Sequence, residues 1–165
     1  MNRLIAAVVF LAFSSLAFAV EPIKVFGDWA VIRAAEGSDL VALTRNNDGN
    51  YIGLRCFVGE RKCVHVLSVD FTCEVGMSYP MLVGSSVSAI TIQTSCRNSA
   101  GSHELVLDDQ SKIHEVLKQE GLVGFAMPMD SGLFKVVRFS LNGAYEAMGY
   151  VKKYTIEQVG SEVFL

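Results

Sequence analysis

Four side chains stand out for the chemistry they can do: the thiols of Cys56, Cys63, Cys73 and Cys96, gathered in one stretch of a 165-residue chain. Thiols hold metals, relay electrons or pair as disulfides, and their spacing separates these uses. The gaps do not follow the short Cys-to-Cys steps of a zinc site, and the histidines do not complete a ligand set. A redox pair would need Cys-x-x-Cys, which is absent. An even cysteine count behind an export signal reads as structural disulfides. Of the pairings that four cysteines allow, the favoured one joins Cys56 to Cys63 across a hairpin turn and Cys73 to Cys96 between middle strands.

Other reactive side chains fit blander roles. His65 is expected to pack at a sheet edge, His103 to end a loop, and His114 to lie solvated on a helix beside Glu115. A nucleophile relay would need one of them near a serine and an aspartate. No Gly-x-Ser-x-Gly elbow is present to strain a serine for attack. Asp108 and Asp109 are adjacent, so their carboxylates diverge, and helix capping accounts for them. The Asn46–Asn50 turn lacks the calcium-loop spacing and its closing glutamate. The expectation is a protein that is not an enzyme, with no catalytic residues, no metal and no cofactor. The remaining candidate is a partner-binding loop, Gly59, Glu60, Arg61 and Lys62, held between Cys56 and Cys63.

The elements that would position these groups are mostly short strands. Phe26–Ile32 opens the sheet, with Trp29, the only tryptophan, as a core anchor. Leu40–Arg45 and Tyr51–Phe57 flank an Asn-rich turn containing Asp48-Gly49, a strong hairpin signal. Cys63–Cys73 reads as one long strand that puts Cys63, His65, Leu67, Val69, Phe71 and Cys73 on one face. Tyr79–Val83, Val87–Cys96 and Glu104–Leu107 follow. A helix with Ile113, Val116 and Leu117 on one side starts at the aspartates and stops by Gly121. Leu122–Met127 and Leu133–Leu141 form a hairpin, Gly143–Met148 a short helix, and Tyr154–Val159 a last edge strand or tail. This pattern predicts a mainly β fold, a disulfide-stapled sandwich or open barrel with one or two short helices.

The chain opens on Met1-Asn2-Arg3, a short positive start, followed by an apolar run from Leu4 to Leu16 and by Ala17-Phe18-Ala19, the layout of a cleavable secretory signal. Residues 1–19 are expected to be removed, leaving 20–165 as a single β-sandwich-like domain with no membrane span, in the periplasm or secreted. The apolar run is short for a bilayer-spanning helix, and a lipid-facing barrel would not carry a dense cysteine cluster and an internal helix. Without Arg3 the chain has 13 Lys and Arg against 17 Asp and Glu, a net charge of about −4. That mild acidity argues against a nucleic-acid partner, which would call for a basic face.

Phe26-Gly27-Asp28-Trp29 followed by Val31 resembles the opening motif of the invasion-associated locus B family of exported bacterial proteins. Leu117 to Met148 is similar to that family's closing pattern of a short helix, a strand, a serine-leucine-X-glycine-aromatic turn and a small-residue helix, its last part being Phe139-Ser140-Leu141-Asn142-Gly143-Ala144-Tyr145-Glu146-Ala147-Met148. The middle departs from it: no cysteine follows the tryptophan closely, and a later Gly-Cys element is missing. The resemblance implies a periplasmic β-sandwich linked to host association in some bacteria, and it brings no catalytic residues. The expected work is binding another protein, in the envelope or on a host. The rival is an inhibitor or immunity protein that blocks a toxin or hydrolase, and behind it stands a hydrolase.

Overall fold

The structure is a computed structural model that describes residues 21–34, 39–70, 72–99, 102–129 and 131–161. The expected signal segment, with its expected cleavage point, and residues 162–165 lie outside these. Ten strands and two helices follow in order: β1 (Lys24–Phe26), β2 (Trp29–Arg33), β3 (Leu40–Arg45), β4 (Tyr51–Phe57), β5 (Lys62–Ser68), β6 (Ser78–Gly84), β7 (Ala89–Ser99), β8 (Ser102–Leu107), α1 (Gln110–Leu117), β9 (Leu122–Pro128), β10 (Phe134–Ser140) and α2 (Ala144–Ser161).

All ten strands belong to one open antiparallel sheet, ordered β1-β2-β3-β4-β5-β8-β7-β6-β9-β10. Of the two architectures the sequence allows, this is the open form, mainly β with two helices. The first half is a meander, because each turn is short and carries a residue suited to it. Gly49 adopts φ 81° while the Asn46 side chain accepts from the amides of Asp48 and Asn50. One side chain in two along β6, β7 and β10 is buried, as a strand with one covered face requires. The covered faces share one core with both helices: Trp29, Leu54, Leu105 and Phe125 meet Ile113 and Leu117 of α1 and Ala147, Met148 and Val151 of α2. Asp109 caps α1, its carboxylate accepting from the amide of Lys112 at 3.2 Å.

Four expected elements are corrected. Residues 26–32 are not one strand, because Gly27 at φ 54° turns the chain between β1 and β2. The long strand over Cys63–Cys73 ends at Ser68, which faces Tyr51 at the last position of the β4 ladder. One step later the Asn50 side chain takes the amide of Asp70 at 2.8 Å, and the chain leaves the sheet. The short helix and the final strand are together one helix, α2. Its buried Ala144, Ala147, Met148, Val151 and Thr155 recur at helical spacing.

The first turn and the start of α2 interlock. Asp28 N donates to Asn142 O at 3.0 Å, and the Trp29 indole donates to Ser140 O at 2.9 Å. Ser140 Oγ closes the set on the Asp28 carboxylate at 2.6 Å. The backbones approach so closely that a Cβ on Gly143, itself at φ 86°, would lie 1.9 Å from Phe26 O. The two sequence motifs that resemble the exported family are therefore the two halves of one clasp. Disulfides add two further ties, Cys56–Cys63 across the β4–β5 hairpin and Cys73–Cys96 from the β5–β6 connection to β7.

Candidate functional site

The loop singled out by sequence is the tip of the β4–β5 hairpin. Cys56 and Cys63 face each other directly, with their Cα atoms 4.0 Å apart, so the bridge pins the strands beneath the turn. Gly59, Glu60 and Arg61 form the turn, and Lys62 begins β5; all are exposed. Arg61 takes φ 51°, a left-handed conformation that residues other than glycine adopt at a cost.

The histidines are distributed differently from expectation. His65 is packed, but in mid-sheet between β4 and β8 rather than at an edge. Gln110 Oε1 accepts from both its backbone amide and its Nδ1, each at 2.7 Å. An amide oxygen only accepts, so the ring proton sits on Nδ1 and Nε2 keeps a bare lone pair. That atom is buried with no hydrogen-bond partner among the described residues. Burial drives the His65 pKa down to about 4. His114 is half-buried rather than solvated. Its ring centre is 5.7 Å from that of His65, and Lys152 Nζ of α2 lies 3.1 Å from its Nε2. Burial, then the nearby Lys152 and Lys118, hold its pKa below the ordinary value. His103 is exposed on β8. The structure therefore brings His65 and His114 together but gives neither a serine or aspartate neighbour, among the contacts described. No cluster of three or more His, Cys, Asp or Glu suited to a metal occurs among the described residues.

A polar cluster on the other side of the sheet carries the one deeply buried acid among the described residues. Glu104, with its side chain 1% exposed, accepts from Arg55 at 2.8 Å and Arg97 at 2.9 Å, and from the Tyr51 hydroxyl. Arg55 also donates to Ser99 Oγ at 2.5 Å. Burial and the neighbouring carboxylate push the Tyr51 pKa up. With every oxygen of Glu104 engaged, this knot pins the long β7–β8 hairpin to β4.

Sequence reasoning missed a broad apolar face. On the uncovered side of β7–β6–β9–β10, register aligns Thr91, Leu82, Ala126 and Val136 in one row, and Ala89, Gly84, Gly124 and Arg138 in the next. Pro80, Pro128 and Phe134 continue it. Leu82 is 47% exposed, Val136 46% and Phe134 64%, and Arg138 is the charged residue of these rows. Small residues between the larger ones keep the face shallow. Contiguous exposed apolar surface of this kind marks interaction sites. The signal was available: Met81-Leu82-Val83 and Val136-Val137 place apolar residues on both parities of a strand whose other face already fills the core.

These features define a disulfide-stapled, open antiparallel β protein with two helices on its covered face, built as expected of an oxidising, extracytoplasmic setting. Among the described residues no helix is long and apolar enough to cross a membrane. No family model matches the sequence, and no curated protein matches it. The family resemblance of its two end motifs does have a structural counterpart. The fold is similar to the crystal structure of invasion associated protein B from Bartonella henselae, with a TM-score of 0.57 at 13% identity. The likeness covers 81% of this chain and 97% of that one, and at such identity it concerns the fold.

Proposed function

We propose that this chain is an exported, non-enzymatic protein-binding module, freed by cleavage after Ala19 and working in the periplasm or outside the cell. The observation that carries the reading is the shallow, nearly uncharged face of β7–β6–β9–β10, with Leu82, Phe134 and Val136 held open to solvent. Such a face offers apolar area and little charge to desolvate, which suits a protein surface better than a small polar molecule. The name of the structural neighbour, invasion associated protein, supports looking for the partner in the envelope or on a host.

A second reading rests on the pinned hairpin tip. An exposed loop whose two strands are tied by a disulfide directly beneath it is suited to entering another protein's cleft, because the tie restricts the freedom that binding would otherwise have to remove. That would make the chain an inhibitor or immunity protein for a toxin or hydrolase.

Capture from periplasm and culture medium with the oxidised mature protein, run beside Leu82→Glu and an Arg61→Ala/Lys62→Ala variant, separates these readings. A partner held by the native protein and lost with Leu82→Glu supports the face. One lost only with the loop variant supports the inhibitor. If nothing is retained at near-physiological concentration, the binding function falls.

A further inference from the structure

β10 ends the sheet, paired to β9 on one side only. Which of its backbone groups are free follows from the ladder. Met129 N donates to Leu133 O at 2.8 Å and Leu141 N to Gly121 O at 2.9 Å. Antiparallel pairs alternate between bonded and non-bonded, so Met127–Lys135, Phe125–Val137 and Val123–Phe139 exchange the bonds with β9. The N–H and C=O groups of Phe134, Val136, Arg138 and Ser140 then point away from the sheet. The Trp29 indole already occupies Ser140 O. What remains is an open ladder from Phe134 to Arg138.

Natural edges are blunted by short strands, prolines or charges. The opposite edge is three residues long, but β10 has seven, none of them proline. Its one lysine, Lys135, points to the covered side, with Nζ on Asp70 O.

We propose that this edge pairs with the β10 of a second copy, antiparallel about a two-fold axis at Val136. A two-fold needs a surface complementary to itself, and this ladder has that property. Val136 meets Val136 of the second copy, and Phe134 meets Arg138 of the second copy, with all the free groups matched. The pairing also answers two exposed features at once. Arg138 has no ion pair among the described residues, and it would lie beside a Phe134 ring that is 64% exposed, an arrangement of cation and aromatic face that is attractive. The apolar face then runs without a break across both copies. A ladder from Phe134 to Arg138 is a short contact, of the size class in which association is weak and concentration-dependent.

The test uses single cysteines in the oxidised mature protein, whose native thiols are all bonded. Directly opposed residues of a bonded antiparallel pair have Cα atoms about 5.5 Å apart, within disulfide reach. Val136→Cys should form a covalent dimer under mild oxidation. Arg138→Cys and Phe134→Cys should each stay monomeric alone and cross-link when mixed. Sedimentation of the unmodified protein should show its mass rising from one copy to two with concentration. Val136→Pro, which removes an N–H that β9 does not use, should stay monomeric with an unchanged far-ultraviolet spectrum. The proposal is overturned if Val136→Cys gives no dimer while folded, if Arg138→Cys alone cross-links equally well, or if the unmodified protein remains monomeric throughout.

Discussion

Replacing Gly143 with alanine isolates the physical cost of the clasp. Gly143 sits at φ 86°, where a Cβ costs about 1–2 kcal/mol from backbone conformation alone. At this position the new atom would also lie 1.9 Å from Phe26 O, so the backbones must part. Parting them loosens the bonds from Asp28 N to Asn142 O and from the Trp29 indole to Ser140 O. Each is worth about 1 kcal/mol, more if a buried group is left unpaired. The expected loss is about 3–5 kcal/mol, a large effect for one methyl group. Gly121 provides the control. It has φ 88° but nothing within 4 Å of its would-be Cβ, so Gly121→Ala should lose only the conformational part, about 1–2 kcal/mol. Urea unfolding of both oxidised variants, read by tryptophan fluorescence, gives the difference directly. If the two lose the same stability, the close approach carries no energy and the clasp argument is wrong.

Three further outcomes follow from other parts of the molecule. The buried, uncharged His65 titrates near 4 when folded and near 6.5 when unfolded, so below pH 6.5 the unfolded chain binds the extra proton. Stability should therefore fall as pH drops from 6.5 to about 4, by up to roughly 3 kcal/mol, and His65→Gln should flatten that slope. Glu104→Gln leaves Arg55 and Arg97, whose side chains are 17% and 27% exposed, facing a neutral group; it should cost about 2–3 kcal/mol in a denaturation titration, and a loss below about 1 kcal/mol would mean the knot is solvated. The bridges should differ by the loops they close, 7 and 23 positions apart. Replacing Cys56 and Cys63 with serine should cost about 2 kcal/mol and replacing Cys73 and Cys96 about 3, with the reverse order counting against the chain-entropy account.

What the sequence made legible was local. The Asp48-Gly49 hairpin, the Asp109 cap and the alternation of β7 depend on neighbours within a few positions, and those neighbours are visible in the string. Trp29 was readable as a core anchor because its size leaves few other places for it. The end of β5 was not readable, because it is set by where β4 begins and by an Asn50 side chain on another turn. The helix α2 was cut short because Gly149 and the Tyr154-Thr155-Ile156 run have low helix preference. Its buried stripe against β2, β3 and β4 outweighs that preference. The site was the least legible part. An apolar face looks like core until the topology shows it open to solvent among the described residues, and the histidine pair joins a strand to a helix far along the chain.

The clasp also sets the order in which the molecule is completed. Trp29 finds its acceptor only when Ser140, 111 positions later, is in place. A chain emerging from its N terminus therefore carries an unanchored first hairpin, with its tryptophan unburied, through most of its synthesis. Closing so long a loop is slow compared with forming the local hairpins. The clasp is therefore among the last contacts to form, and a chain ending before Ser140 would leave its first hairpin without the acceptor that anchors it.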